Sequence, residues 1–180
     1  ERREGFNLTR AAYTASSGVL GALARRADEV YEQLDSVGQE LARQLFLRLV
    51  ALGDGTEDTR RRILQAEILT ATGIDKRSLQ NVIESFLKYR LLTADYEPIT
   101  RAPTIEIAHE ALIRVWSRLK SWLDANRDNL RLYQRLTIAT AEWLNTGRDA
   151  SYLAAGARLA QFETLAAGTT LALTPEEAEY

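Results

Sequence analysis

The sequence of 180 residues contains no cysteine, no methionine and one histidine. Without cysteine, disulfides, thiolate metal sites and cysteine nucleophiles are excluded, and one histidine cannot build a multi-histidine metal site. There is no Gly-x-x-x-x-Gly-Lys-[Ser/Thr] motif, so the chain has no P-loop with which to hydrolyse ATP by itself. No serine lies in a nucleophile motif. We therefore expect no catalytic residue, no metal site and no cofactor held by this chain alone.

The sequence also lacks an excess of positive charge and long apolar runs. The formal net charge is -2, with 46% hydrophobic and 27% charged residues, which is typical of a soluble globular protein and does not favour nucleic acid as a partner. No segment approaches the roughly 20 apolar residues that cross a bilayer, and the N-terminus has no signal-peptide pattern. We expect a cytoplasmic protein without a membrane partner. The absence of methionine and the abrupt start lead us to expect a segment of a larger protein.

Apolar residues at steps of three and four predict four helices in the first half of the sequence. They cover residues 22–34, residues 36–52, residues 66–72 and residues 76–89. Gly73 ends the third helix and Asp75 caps the fourth. This pair of helices with a short glycine turn is typical of a helix-turn-helix unit.

The period then changes to that of short strands. Residues 91–95 and 104–108 are suited to β-structure and are joined by a loop with Pro98 and Pro103, which predicts a hairpin with a long tip. Helices are again predicted over residues 112–123, 130–144 and 152–162, and Thr174 caps a final one. The expected fold is mainly α, with a winged helix (helix-turn-helix plus a short β-hairpin) followed by a helical bundle.

Four segments carry a family resemblance. Residues 17–23 (Ser-Gly-Val-Leu-Gly-Ala-Leu), 90–92 (Arg-Leu-Leu), 107–113 (Ile-Ala-His-Glu-Ala-Leu-Ile) and 116–123 (Trp-Ser-Arg-Leu-Lys-Ser-Trp-Leu) resemble the region after the P-loop core in novel STAND NTPases. These are bacterial relatives of the NB-ARC and NACHT ATPases of apoptosis and plant immunity. The resemblance implies that residues 1–34 end a helical lid, residues 35–115 form the winged helix and residues 116–180 form a helical connector.

The same resemblance implies a function as the regulatory, autoinhibitory segment of a signalling ATPase. Such a protein senses whether ATP or ADP is bound and controls its own oligomerisation. The implied partners are an upstream P-loop core and a downstream repeat or sensor domain, such as WD40 repeats, in the same chain. ATP and ADP would be ligands of the full-length protein.

Four residues are candidates for contact with that nucleotide. Gly18, Val19 and Leu20 are similar to the start of a Gly-x-Pro-Leu-Ala-Leu element that presses against adenine, with Leu20 at the proline position. His109 is similar to the histidine of a Met-His-Asp element, which reads the β-phosphate of ADP, with Glu110 in place of the aspartate. An imidazole N–H can donate to a phosphate oxygen, so the implied role is sensing and not catalysis.

The residues themselves leave a second interpretation of His109 open. Strand alternation places His109 in phase with Ile105 and Ile107, which predicts a side chain packed in the core. Trp116, Trp122 and Trp143 lie at helical spacing with leucines and are predicted to be core residues.

Two basic segments also leave alternatives open. Residues 60–62 are three arginines that either contact phosphates or an acidic partner domain, or form a solvated surface. In the fourth helix, Arg77, Gln80 and Asn81 have the chemistry to read base edges, although Glu84 interrupts that surface. A DNA-binding winged helix and a plain protein-interaction scaffold therefore remain alternatives to the regulatory function.

Overall fold

The computed structural model of the chain describes residues 18–180, with side chains from Leu20 onward. It is mainly helical with two small sheets, which confirms the predicted class. The helices are α1 (Gly18–Glu32), α2 (Ser36–Arg48), α3 (Gln65–Thr72), α4 (Lys76–Leu87), α5 (Ala111–Val115), α6 (Ser117–Asn145), α7 (Gly156–Gly168) and α8 (Pro175–Glu179). The strands are β1 (Val50–Ala51), β2 (Thr59–Arg60), β3 (Ile63–Leu64), β4 (Leu92–Tyr96) and β5 (Pro103–Ile107).

Side-chain caps fix where several helices begin, because the first N–H groups of a helix have no partner within it. Asp35 accepts from the Gly38 N–H at 2.7 Å, and Asp75 accepts from the N–H groups of Arg77 and Ser78 at 2.9 and 3.0 Å. Helix α3 ends at Gly73, whose φ of 63° lies in the left-handed region that glycine adopts without steric cost. The two helices predicted on either side of the glycine turn are present as α3 and α4.

The hairpin predicted from the change of period is confirmed as β4 and β5. These strands are antiparallel, with Leu92 opposite Ile107 and Tyr96 opposite Pro103. The short strand β3 pairs with the other edge of β5, so the sheet order is β3-β5-β4. The second sheet, β1 with β2, could not be predicted, because two-residue strands are too short to show alternation.

The predicted helices over residues 112–123 and 130–144 have the wrong boundaries. The structure has the short helix α5, an extended residue at Trp116 (φ -84°, ψ 98°) and then one 29-residue helix, α6. The polar stretch between Leu123 and Leu130 contains no glycine or proline and stays helical. The predicted third helix also starts later, since Tyr152 lies in a 3-10 turn capped by Asp149 and α7 begins at Gly156.

Aromatic side chains from α1, α2, α4 and the start of α6 fill the centre of the core. The ring of Phe46 on α2 lies 4.9 Å from that of Phe86 on α4 and 4.9 Å from that of Trp116, both edge-to-face. Trp116 and Trp143 are buried, as predicted, whereas Trp122 is half-buried and packs against Tyr31 at 5.3 Å. Burial of these rings holds α2, α4 and the start of α6 together.

A polar latch joins α1 to the start of α6. The Asp28 carboxylate accepts from the indole N–H of Trp116 at 2.9 Å and from Nε of Arg118 at 2.9 Å. Arg118 also donates to Glu32 at 3.2 Å and lies over the ring of Tyr31 at 4.5 Å. The indole nitrogen of Trp116 thus has a charged acceptor, and this latch fixes the orientation of α1 against the start of α6.

A buried arginine joins α2 to the C-terminal part of the chain. Arg48 is 1% exposed and donates through Nη1 to the side-chain oxygen of Gln44 at 2.9 Å and through Nη2 to the carbonyl of Ala172. Gln44 itself donates to the carbonyl of Thr170 at 2.6 Å and accepts from the N–H of Ala172 at 3.1 Å. The segment between α7 and α8 is therefore held to α2 by charged and amide hydrogen bonds.

Candidate functional site

His109 lies in the loop that joins β5 to α5, and its side chain is exposed. The strand ends at Ile107, which is buried; the Ala108 N–H donates to the Leu91 carbonyl at 3.0 Å, and the Leu112 N–H closes the turn on the His109 carbonyl at 2.9 Å. The core-packing interpretation of His109 is therefore wrong. Alternation between inside and outside holds only within a strand, and the backbone turns before it reaches the histidine.

The three consecutive arginines have different surroundings. Arg61 lies 3.6 Å from Glu67, and Arg62 contacts Glu106 at 3.1 Å and Asp95 at 3.8 Å. Arg60 is exposed and donates only to the Ala108 carbonyl, at 3.5 Å; within residues 18–180 it has no carboxylate partner. Arg60 is therefore a cation beside the histidine loop whose charge no described side chain neutralises.

Arg90 is a second such cation, held in an unusual backbone conformation. The C-terminal end of α4 closes with the Arg90 N–H on the Leu87 carbonyl at 2.9 Å and the Leu91 N–H on the Phe86 carbonyl at 3.1 Å, which is a Schellman motif. Arg90 sits at the left-handed position of that motif, with φ of 55°. Glycine is preferred there, and a residue with a Cβ costs about 1 kcal/mol.

The hairpin register brings Arg90 and His109 to the same end of the sheet. Leu92 pairs with Ile107, and the next step outward is the hydrogen bond between Ala108 and Leu91. Arg90 and His109 are the next residues along the two chains, each in the turn that leaves this end of the sheet. The Arg90 side chain is exposed and has no ion pair with any residue from 18 to 180. In the sequence Arg90 stands out only as part of the resembling run Arg90-Leu91-Leu92 and as a basic residue that flanks the fourth helix. Its left-handed backbone cannot be recognised from composition or periodicity.

Several cationic hydrogen-bond donors and few acceptors therefore lie on or next to this loop. Arg60 donates to the Ala108 carbonyl, Arg90 precedes the Leu91 whose carbonyl accepts from the Ala108 N–H, and His109 follows Ala108 in the chain. The one acidic side chain on the loop, Glu110, is exposed and makes no capping hydrogen bond. Guanidinium groups donate in a fork that matches the oxygens of a phosphate, and such charge-assisted bonds are the strong ones. This arrangement can bind an anion. We call Arg60, Arg90 and His109 the basic elbow.

The other candidate residues lie on a neighbouring helix. Gly18 is the first residue of α1, and Leu20 is 48% exposed; the side chain of Val19 lies outside the described part. Helix α1 packs against α5, the helix that follows His109. The structure therefore places the two groups of candidates on elements in contact.

A charged groove beside α5 is neutralised by its own pairs. Arg127 on α6 contacts Asp58 at 2.8 Å and Arg114 contacts Glu57 at 2.6 Å. The hydrogen bond from Arg127, assisted by the Gly53 N–H, holds the pKa of Asp58 below its usual range against the opposing effect of burial. These pairs stabilise the loop that precedes β2.

A buried polar cluster lies between α2, α3 and α6. Burial raises the pKa of Glu67, an effect that the charges of Arg61 and Arg48 partly oppose, and burial also raises the pKa of Tyr133. Arg48 faces the ring of Tyr133 at 5.2 Å. This cluster connects helices within the core.

The exposed surface of α4 has mixed charge. Lys76, Arg77 and Asn81 are exposed, but the amide of Gln80 donates to Glu84 at 3.0 Å on the same surface. Gln80 is thus occupied within its own helix, and a carboxylate lies where DNA phosphates would come near. We find no specific observation on α4 that favours DNA recognition.

The comparison with protein families decides the identity of the chain. The family model of Novel STAND NTPase 1 matches residues 1–151. The chain belongs to this family. The match covers the basic elbow, α1 and the whole of α6, so these features lie inside the Novel STAND NTPase 1 region. No curated protein and no solved structure matched the chain significantly.

Membrane-spanning helices and metal-ligand clusters are both absent from the described part of this Novel STAND NTPase 1 chain. Within residues 18–180, none of the helices combines the length and apolar character needed to span a membrane. In the same part of the chain no three histidine or acidic side chains are grouped as metal ligands would be.

Proposed function

We propose that this chain is the regulatory, autoinhibitory segment of a STAND-type signalling ATPase, in which it senses the bound nucleotide and controls oligomerisation. The observation that carries the proposal is the exposed His109 in a loop with unneutralised arginines, in a chain of this family. A core histidine would have supported a purely structural role. An exposed one beside cations is suited to an anion presented by another domain.

The domain organisation is part of this proposal. We propose that residues 35–115 are a winged helix, preceded by the end of a lid in residues 1–34 and followed by a connector in residues 116–180. The order of α2, β3, α3, α4 and the β4–β5 hairpin, with the sheet order β3-β5-β4, supports the winged helix. The connector would be the bundle of α6, α7 and α8.

The proposed mechanism uses contact between domains. With ADP on a P-loop core, the imidazole N–H of His109 would donate to the β-phosphate, while residues 18–20 would cover the adenine. Because α1 packs on α5 and is latched to Trp116 through Asp28, movement of the lid end and of the histidine loop would be coupled. Exchange for ATP would favour a second arrangement in which the winged helix is released and an oligomerisation surface is free.

The partners follow from the same proposal. They are a P-loop core and a repeat or sensor domain of the same protein, and other copies of the protein after activation. The setting would be the cytoplasm, where ATP and ADP are available.

The test is ADP release from the protein joined to its proposed P-loop core. We expect His109→Ala to release ADP roughly 10-fold faster, because one charge-assisted hydrogen bond is lost. The variant should also assemble at a lower ATP concentration. Glu110→Gln, one residue away on the same loop, is the control and should release ADP no faster than the wild type. Unchanged ADP release and unchanged assembly in His109→Ala would contradict the proposed sensing.

A further inference from the structure

The tip of the hairpin between β4 and β5 presents an isoleucine to solvent on a fixed backbone. Ile99 is 88% exposed. The Glu97 carboxylate accepts from the N–H of Ile99 at 2.8 Å and from that of Thr100, and the loop closes with the Glu97 N–H on the Ala102 carbonyl at 2.9 Å. Tyr96, at the end of β4, is 59% exposed. Because turns usually carry small or polar residues, an apolar side chain held out on such a tip indicates contact with another molecule.

An apolar cavity of about 170 Å³ lies between α6, α7 and α8. Leu136 and Phe162 in its lining are buried, whereas Leu159 and Ala166 are exposed, so the cavity opens to the surface. An apolar cavity of about 150 Å³ accepts a benzene molecule. The cavity between these helices therefore has room for the four carbons of an isoleucine side chain.

Opposite charges accompany the hairpin tip and the cavity. Arg101 is exposed two residues after Ile99, and Glu163 is an exposed residue in the lining of the cavity. Within residues 18–180 neither side chain has an ion pair. A contact between the two surfaces would bring this cation and this anion together, which fixes the orientation of a docked side chain.

We propose that Ile99 of one copy of this chain inserts into the cavity between α6, α7 and α8 of a second copy, with Arg101 paired to Glu163 across the contact. A second copy is the occupant because two surfaces that match in size, apolar character and charge belong to the same chain, and the exposed Ile99 does not fill the cavity of its own chain. The two surfaces differ, so the contact is head-to-tail and repeats from copy to copy into a ring or a filament. The inference rests on these surfaces and not on the proposed sensing of ADP.

Sedimentation equilibrium of the 180-residue chain at increasing concentration measures this contact. A contact this small is weak, so the average mass of the wild type should rise above that of one chain as the concentration approaches roughly 1 mM. Ile99→Ser removes the apolar side chain, and Ala166→Arg places a charge at the cavity that repels Arg101. Each should weaken association at least about ten-fold, because the burial of one isoleucine is lost.

A matched control separates this contact from general stickiness and from misfolding. Ile138 on α6 is also an exposed isoleucine, at 62%, and does not line the cavity. Ile138→Ser should associate as the wild type does. All three substitutions replace exposed residues, so each variant should unfold at the same urea concentration as the wild type.

A mixture of two variants tests the head-to-tail geometry. Ile99→Ser keeps an intact cavity and Ala166→Arg keeps an intact hairpin tip, so each variant alone should stay monomeric. Their mixture should form a complex of two chains and nothing larger, because only one intact contact is possible per pair. Restoration of charge is a second test: Arg101→Glu and Glu163→Arg should each weaken association roughly three- to ten-fold, and the double variant should recover it.

Several results would overturn the inference. These are a wild type that stays monomeric at every concentration, wild-type association in Ile99→Ser or Ala166→Arg, equal weakening in Ile138→Ser, a mixture that stays monomeric, and no recovery in the double charge variant. If any of these occurs while His109→Ala still speeds ADP release, only this inference fails. If the contact forms as described while His109→Ala leaves ADP release unchanged, the proposed sensing fails and the contact stands.

Discussion

Removal of the Asp28 carboxylate should loosen α1 from the rest of the protein. Asp28→Ala takes away the acceptor of the Trp116 indole N–H at 2.9 Å and of Arg118 Nε at 2.9 Å. Trp116 is fully buried and sits at the centre of the aromatic cluster, so its indole N–H loses its only described acceptor once the carboxylate is gone.

The two lost hydrogen bonds contribute different amounts to the free energy of unfolding. A buried donor left without a partner costs about 1–3 kcal/mol. The pair with Arg118 is more than a third exposed on both sides and contributes about 0.5 kcal/mol. The free energy of unfolding should therefore fall by about 2–3 kcal/mol. Asp28→Asn keeps an oxygen that accepts from the indole and should cost about half as much.

Urea unfolding followed by far-UV circular dichroism and tryptophan fluorescence measures this change. The neighbouring Glu29→Ala is the control, because its pair with Arg26 is about half exposed on both sides and should cost less than about 0.5 kcal/mol. If Asp28→Ala and Glu29→Ala were equally stable, the account of the latch would be refuted.

Three further substitutions test other contacts in the structure. Arg48→Ala should lower the free energy of unfolding by about 3 kcal/mol and speed amide exchange at Ala172, because buried acceptors lose their donor. Asp58→Asn should destabilise the protein at pH 7, since the pKa of Asp58 is lowered in the fold; that difference should fade as the pH falls from about 4, where the carboxyl of the unfolded chain takes up its proton, through the lowered pKa of the folded state. Glu67→Gln should do the opposite and stabilise at pH 7, since burial raises the pKa of Glu67 and ionisation opposes folding above about pH 4; urea unfolding at several pH values measures both.

The elements with strong local signals were predictable from the sequence. Asp75 and Gly73 marked the two ends of the helix-turn-helix turn, and the capping box of Thr174 with Glu177 marked α8. These signals act within a few residues, so one sequence is enough to detect them. The hairpin was found because β-suited runs flanked a loop with prolines.

What could not be predicted depends on contacts distant in sequence. The break between α5 and α6 at Trp116 is set by the packing of its ring on Phe46 and by its bond to Asp28, neither of which leaves a local pattern. The exposure of His109 depends on where β5 ends, and one residue of difference reverses inside and outside. Arg90 lies at the same end of the sheet as His109 through the hairpin register, and its left-handed backbone has no signature in the sequence.

The most direct test of the central claim is the ADP that stays bound during purification of the protein joined to its proposed P-loop core. The account predicts close to one ADP per wild-type molecule and a clear loss in His109→Ala, with ADP retained in Glu110→Gln. Equal ADP content in the wild type and in His109→Ala would contradict the claim that this histidine senses the nucleotide.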